Sequence, residues 1–147
     1  MRLVIDASVI VKWLLNDPDN ESETELATEL MHRILVGQLP ALQPVHWLLE
    51  IGAVLARVSP ATAEKDIALL QALEIPTDDS PVLLARACRL AVDLRQHLFD
   101  TLYHAVALEN PDCTLITADE RYLDSGAREG RIVRLTDWKT DLGVTHL

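Results

Sequence analysis

Four carboxylates stand where an acid is out of keeping with its neighbours or closes an apolar run: Asp6, Glu50, Asp100 and Asp119. Asp6 ends the run Leu3-Val4-Ile5, and Asp119 follows Leu115-Ile116-Thr117-Ala118. Short apolar runs read as buried strands. An acid at the carboxyl end of such a strand stands at the sheet edge where open α/β folds place their ligands. Glu50 interrupts an apolar stretch from Val45 to Ala56 that reads as a helix apolar nearly all round. A buried ionised carboxylate is expensive unless it is paired or metal-bound. Asp100 falls in the first turn of a further helix. Structural roles stand beside the chemical one. Asp6, Asp100 and Asp119 all suit helix N-caps, and Glu50 could meet an arginine, although Arg57 is too far along to be its i+4 partner.

If the four acids meet, they repel one another and need a cation to stay ionised together. An all-oxygen set suits hard, octahedral Mg²⁺ or Mn²⁺. Such ions activate water and stabilise the departing oxygen in phosphodiester cleavage. Ser8 and Thr117 lie two residues from Asp6 and Asp119, where a hydroxyl could hold metal-bound water or merely cap its own backbone. His46 with Glu50, and Asp100 with His104, are i,i+4 pairs that share a helix face. No HExxH-like cluster accompanies them, so packing or a hydrogen bond fits the histidines better than zinc ligation. Arg121, Arg128, Arg131 and Arg134 follow Asp119, and Lys12 lies one turn beyond Ser8. They could contact phosphates or serve as ordinary solvated surface.

The elements that must carry these residues alternate. Strands are expected over 2–6, weakly over 39–43, over 73–76, 114–117 and 131–135. Helices are expected over about 7–15, from about 21 to Gly37, and over 45–56, 60–73, 81–96 and 98–109, with another after Asp119. Residues 16–20 form a turn cluster, and Ser22 with Glu25 fits a capping box. Ser59-Pro60 and Ser80-Pro81 each place a cap residue before a proline at the first helical position. The alternation predicts an α/β fold: a three-layer α/β/α sandwich around a central parallel sheet of four to five strands.

A chain of 147 residues with 49% apolar content predicts one domain with one core. The net charge of −10 argues against a general nucleic-acid coat but not against an enzyme that meets phosphates through metal. It would also attract a basic partner segment. Cys88 and Cys113 sit apart in apolar settings and read as reduced core thiols. Met1 runs straight into the first strand, and no apolar run is long enough to span a bilayer, so a cytoplasmic protein away from membranes is expected.

With these residues in view, the chain resembles PIN-domain ribonucleases, most closely the VapC-type toxins of toxin–antitoxin pairs. The motifs that carry the resemblance are Val4-Ile5-Asp6-Ala7-Ser8-Val9-Ile10-Val11-Lys12, Leu49-Glu50-Ile51, Phe99-Asp100-Thr101-Leu102-Tyr103-His104-Ala105-Val106-Ala107 and Leu115-Ile116-Thr117-Ala118-Asp119-Glu120. They span almost the whole chain and put the family's acidic site on Asp6, Glu50, Asp100 and Asp119. Phe99 stands where tyrosine is common and Thr101 where alanine is common; neither departure removes a ligand. Glu120 and Asp124 are nearby acids that could assist or replace Asp119. The resemblance implies Mg²⁺ or Mn²⁺, an RNA substrate, a homodimer and a cognate antitoxin whose C-terminal segment lies in a groove near the acids. It also leaves room for a non-toxin RNA-processing nuclease, or for a catalytically idle binding module on the same fold. A receiver-like phosphorylation domain fits poorly, because one acid rather than a pair ends the first strand and Lys139 alone lies late in the chain.

Overall fold

The computed structural model describes residues 1–16, 19 and 21–144, without the side chains of Glu21 and Ser22. Most of the turn cluster after Asn16 and the cap role of Ser22 therefore lie outside the described residues. The chain opens with β1 (Arg2–Ile5) and passes through Asp6 into α1 (Ala7–Leu15). Then come α2 (Glu21–Leu35), β2 (Gln43–Pro44), α3 (Trp47–Val58), α4 (Ala63–Ala72), β3 (Thr77–Asp78), α5 (Pro81–Leu94) and α6 (Leu98–Glu109). The last part contains β4 (Cys113–Thr117), α7 (Glu120–Gly126), β5 (Ile132–Arg134) and a short α8 (Trp138–Asp141).

The central ladder is parallel and three-stranded, in the order β1-β4-β5, with Ile5 beside Ile116 and Thr117 beside Arg134. Leu3, Val4 and Ile5 are all at most 1% exposed. Successive strand residues point to opposite faces, so helices must cover both sides, and this is why the strand is apolar without alternation. Helices α1 and α6 both pack on β4, and α6 also packs on β1 and β2. The fold is thus α/β with helices flanking a central parallel sheet.

The central sheet has three strands rather than the expected four to five. β2 and β3 pair with each other as a separate parallel two-stranded unit. An isolated bridge between Leu3 and Ala41 joins that unit to β1, with Leu3 N–H donating to Pro40 O (2.9 Å) and Leu42 N–H to Leu3 O (2.9 Å). Pro40 and Pro44 have no N–H to give, so a regular ladder cannot run through this segment. The buried Gln43 side chain closes the gap as a surrogate peptide. It accepts from Ile5 N–H (2.8 Å) and donates to Ile5 O (2.9 Å). Gln43→Leu would strand both backbone groups beside the residue that leads into Asp6. It is expected to cost about 2 kcal/mol, measured by urea denaturation.

Other expectations shift for local reasons. Ser59 closes α3 rather than opening α4: its N–H donates to Leu55 O (2.8 Å), and α4 begins only at Ala63. Glu74 adopts the left-handed region (φ 49°) and turns the chain, so pairing falls on Thr77 and Asp78 instead of 73–76. Pro81 does open α5, but the Ser80 hydroxyl donates to Asp78 and leaves its own helix uncapped. Cys113 is buried, whereas Cys88 is exposed rather than a core thiol; both are free. The short α8 has no counterpart among the expected helices. It inserts Trp138, fully buried, beneath the Arg33 guanidinium.

Candidate active site

Asp6 leaves β1 with its N–H still in the ladder, donating to Ile116 O (3.0 Å). It is also the N-cap of α1, and its Oδ2 accepts from Ser8 N–H (3.2 Å), the Ser8 hydroxyl and the Thr117 hydroxyl (3.2 Å). Capping and a site role are therefore not alternatives, because the cap occupies one carboxylate oxygen. Asp119 follows the same logic after β4. It caps α7 through Oδ1, which accepts from Tyr122 N–H (3.0 Å), and its own N–H donates to the Thr117 hydroxyl (3.0 Å). The Ser8 hydroxyl also accepts from Ala118 N–H (3.0 Å). Ser8 and Thr117 thereby lace the ends of β1 and β4 together and hold Asp6 in place.

Glu50 and Asp100 come from helices, and each lies in a first turn, where the helix dipole favours a negative charge. α3 starts at Trp47, two residues later than expected, which moves Glu50 closer to the helix N-terminus. Asp100 is not a cap; that position belongs to His97. All four acids line one open pocket of about 520 Å³, together with Ala7, Ser8, Val11, Lys12, Leu15, Val54 and Ala118.

Proximity and burial strain the charges. Burial pushes the Glu50 carboxyl up to about 7, and the charges of Asp6 and Asp100 add to the rise. Asp100 is pushed up to about 6, first by burial and then by Asp6 and Asp119. Asp6, only 6% exposed, is raised by burial, against the hydrogen bonds from Ser8 and Thr117. The Tyr103 hydroxyl faces Glu50 and opposes its rise. The two stop short of a hydrogen bond, since Glu50 Oε2 and Tyr103 Oη are both buried polar atoms without a partner among the described residues. No arginine bonds to Glu50 among the described residues. Among these residues no three Asp, Glu, His or Cys side chains form a ready-made metal cluster; the acids ring an open space instead. An oxygen donor set with an orphaned buried carboxylate oxygen fits a hard divalent cation.

The chain matches the PIN-domain family model over residues 3–127. It belongs to the PIN-domain family. The matched span contains all four acids of the pocket, and PIN domains are generally nucleases that use divalent metal ions. No curated protein matches the chain significantly. No helix among the described residues of this PIN domain is long and apolar enough to cross a membrane.

The remaining candidates separate cleanly. His104 is buried away from ligation, with Nδ1 on the Tyr122 hydroxyl (2.9 Å) and Nε2 on Gly130 O (2.8 Å). His46 is exposed at the start of α3 and lines a different, apolar pocket. Glu120 meets Arg134 (2.8 Å), and neither Glu120 nor Asp124 lines the acid pocket. Arg134 also meets Asp137, Arg128 pairs with Glu129, and Arg131 donates to Asn110 O (3.0 Å) at the end of α6. Of those four arginines Arg121 alone lies beside the acids, where Arg95, Gln96 and His97 join it. Lys12 lines the acid pocket and pairs with Glu23 (3.0 Å). Sequence reasoning missed Tyr103 and Arg95. The i+3 spacing from Asp100 was the available signal for Tyr103. Arg95 carried no local signal at all.

Proposed function

We propose that this PIN domain is a metal-dependent endoribonuclease and the toxin of a toxin–antitoxin pair. The observation that carries the catalytic reading is the convergence of Asp6, Glu50, Asp100 and Asp119 on one pocket in which Glu50 Oε2 has no partner. Asp6 and Asp100 would hold the principal Mg²⁺ or Mn²⁺, with Glu50 and Asp119 completing the set directly or through water. When bound, the cation supplies Lewis-acid activation of water and neutralises charge on the departing oxygen. The chain's own part is positioning. Ser8 and Thr117 fix the Asp6 carboxylate through Oδ2 alone, so that among the described residues Oδ1 remains for the pocket. The first turns of α3 and α6 aim two further carboxylates at the same space. No side chain here is needed as a nucleophile. In-line attack by water on phosphorus then leaves a 5′-phosphate and a free 3′-hydroxyl.

The toxin role is supported by the four-motif resemblance and by the pocket wall. Val11, Leu15 and Val54 form an apolar shelf beside the acids. Such a shelf suits an inhibitory antitoxin segment that brings a basic side chain to the carboxylates. A cytoplasmic homodimer completes the reading. Exposed Val45 and Leu84 line one pocket with Leu102, and exposed Phe99 lines a second, smaller one with the same leucine. Exposed apolar surface of this kind favours self-association.

The test is cleavage of a defined RNA oligonucleotide by purified protein. Cleavage is expected in Mg²⁺ or Mn²⁺, with 5′-phosphate and 3′-hydroxyl ends, and is expected to stop in EDTA. Cyclic phosphate ends, or full activity in EDTA, would refute it.

A further inference from the structure

We propose that the pocket formed by Arg95, Gln96, His97 and Arg121, which shares Asp100 and Asp119 with the acid site, binds the RNA phosphate next to the scissile one. The assignment of RNA rests on the ribonuclease reading above. The pocket has a volume of about 300 Å³, and every side chain that lines it is polar. Its two guanidinium groups arrive from separate elements. Arg95 is the C-cap of α5, and Arg121 lies in the first turn of α7. Although two acids line the same space, neither arginine forms a salt bridge among the described residues. Most other arginines of the chain do, or donate to backbone carbonyls. Both forks are therefore left for an anion, and an arginine fork matches phosphate geometry.

The two walls are held as one unit. Gln96 Nε2 donates to the Ser125 hydroxyl (3.0 Å), which ties the α5–α6 connection to α7. Arg95 itself adopts the left-handed region (φ 54°, ψ 48°), at a helix end where glycine is the usual residue. Glycine there would relieve the backbone but remove one guanidinium from the pocket. A protein with a net charge of −10 cannot hold a polyanion by its overall field. It needs local cations beside the reacting phosphate, and this pocket supplies them where the acid site opens.

The test uses the full chain and labelled single-stranded RNA. Binding is followed by anisotropy over a salt series with Mn²⁺, in an Asp6→Asn background that prevents turnover. The pair Arg95→Gln/Arg121→Gln is expected to weaken binding about tenfold or more. It should also flatten the slope of log K against log salt by about 0.7 to 1.4, corresponding to one or two phosphates on single-stranded RNA. In the cleavage-competent chain the same pair should lower kcat/KM through KM rather than kcat. The lysine pair Arg95→Lys/Arg121→Lys should keep most of the salt slope while recovering affinity only in part, because it retains charge without the fork. Arg89→Gln, on α5 but outside the pocket, controls for net charge, and a thermal melt checks that each variant is folded.

An unchanged slope and affinity in the glutamine pair would overturn the subsite, as would an equal loss in Arg89→Gln. Cleavage that persists with an unaltered slope would leave the nuclease standing without this subsite. Arginine-dependent binding without any cleavage by the unmodified chain would sustain the subsite and remove the nuclease reading.

Discussion

Asp6→Asn is expected to reduce metal-dependent RNA cleavage by on the order of 10²-fold or more, beyond the roughly 10- to 100-fold typical of groups that only orient a metal ligand. The substitution is nearly isosteric, and an amide oxygen can still accept from Ser8 N–H and the Thr117 hydroxyl. Asparagine is also as good an N-cap as aspartate. What it removes is a buried charge that the folded protein holds against its own preference. The variant should therefore melt at or above the parent temperature while losing activity. That combination separates a site role from a folding role. Undiminished cleavage, in a preparation free of host nuclease, would strip Asp6 of its assignment. Glu120→Gln and Asp124→Asn serve as controls and should cleave normally, since Glu120 is engaged with Arg134 and Asp124 is outside the pocket.

The second large effect is on stability. Glu50 titrates at 4.5 in a solvated chain and at about 7 in the fold, and Asp100 moves from 3.8 to about 6. Between those values the folded form binds more protons than the unfolded form. The stability from these protonated carboxyls is complete below their unfolded values and is lost as pH rises through 6 to 7. For half-buried groups, allowing for solvent screening, the loss is on the order of 2 kcal/mol. Buried His104 works in the opposite direction: its lowered pKa gives stability that is fully present above the unfolded value of 6.5 and is lost as pH falls below it. Glu50→Gln isolates the site, since the His104 contribution is common to both proteins. The difference in urea stability between the variant and the parent should grow in the variant's favour from pH 5.5 to pH 8 in EDTA. Mn²⁺ at about a thousand times its Kd should then stabilise the parent by about 4 kcal/mol at pH 8, and the variant by less. A parent protein that gains stability over that pH range relative to Glu50→Gln, or ignores Mn²⁺, would contradict the arrangement of charges.

Much of this geometry is legible in the amino-acid sequence. The run into Asp6, helix α1 over Ala7–Leu15 and helix α6 over Leu98–Glu109 follow residue for residue from apolar pattern and end signals. These are local properties, settled within one or two turns of chain. The four acids are visible for a related reason. Each breaks an apolar pattern or ends a strand, and the misfit is itself a local signal.

Other features depend on partners that local pattern cannot name. Ser59 reads as the start of α4 but closes α3, because Leu55 O needs a donor and α3 reaches it first. The sheet seam is filled by Gln43, a polar residue whose burial is tolerable only because Ile5 presents both a donor and an acceptor opposite it. Trp138 reads as tail and lies in the core, under an arginine from α2.

Which residues could do the chemistry, and most of the strands and helices that carry them, can be read along the chain, since side-chain type and short-range periodicity are local properties. That they meet follows from the folding of the chain as a whole. The Thr117 hydroxyl reaches Asp6 across 111 residues of chain, and Arg95 reaches the neighbourhood of Asp119 because α5 ends where α7 begins in space. Those approaches are set by how the parallel strands register and how helices pack on both faces of the sheet, and that is a property of the folded whole.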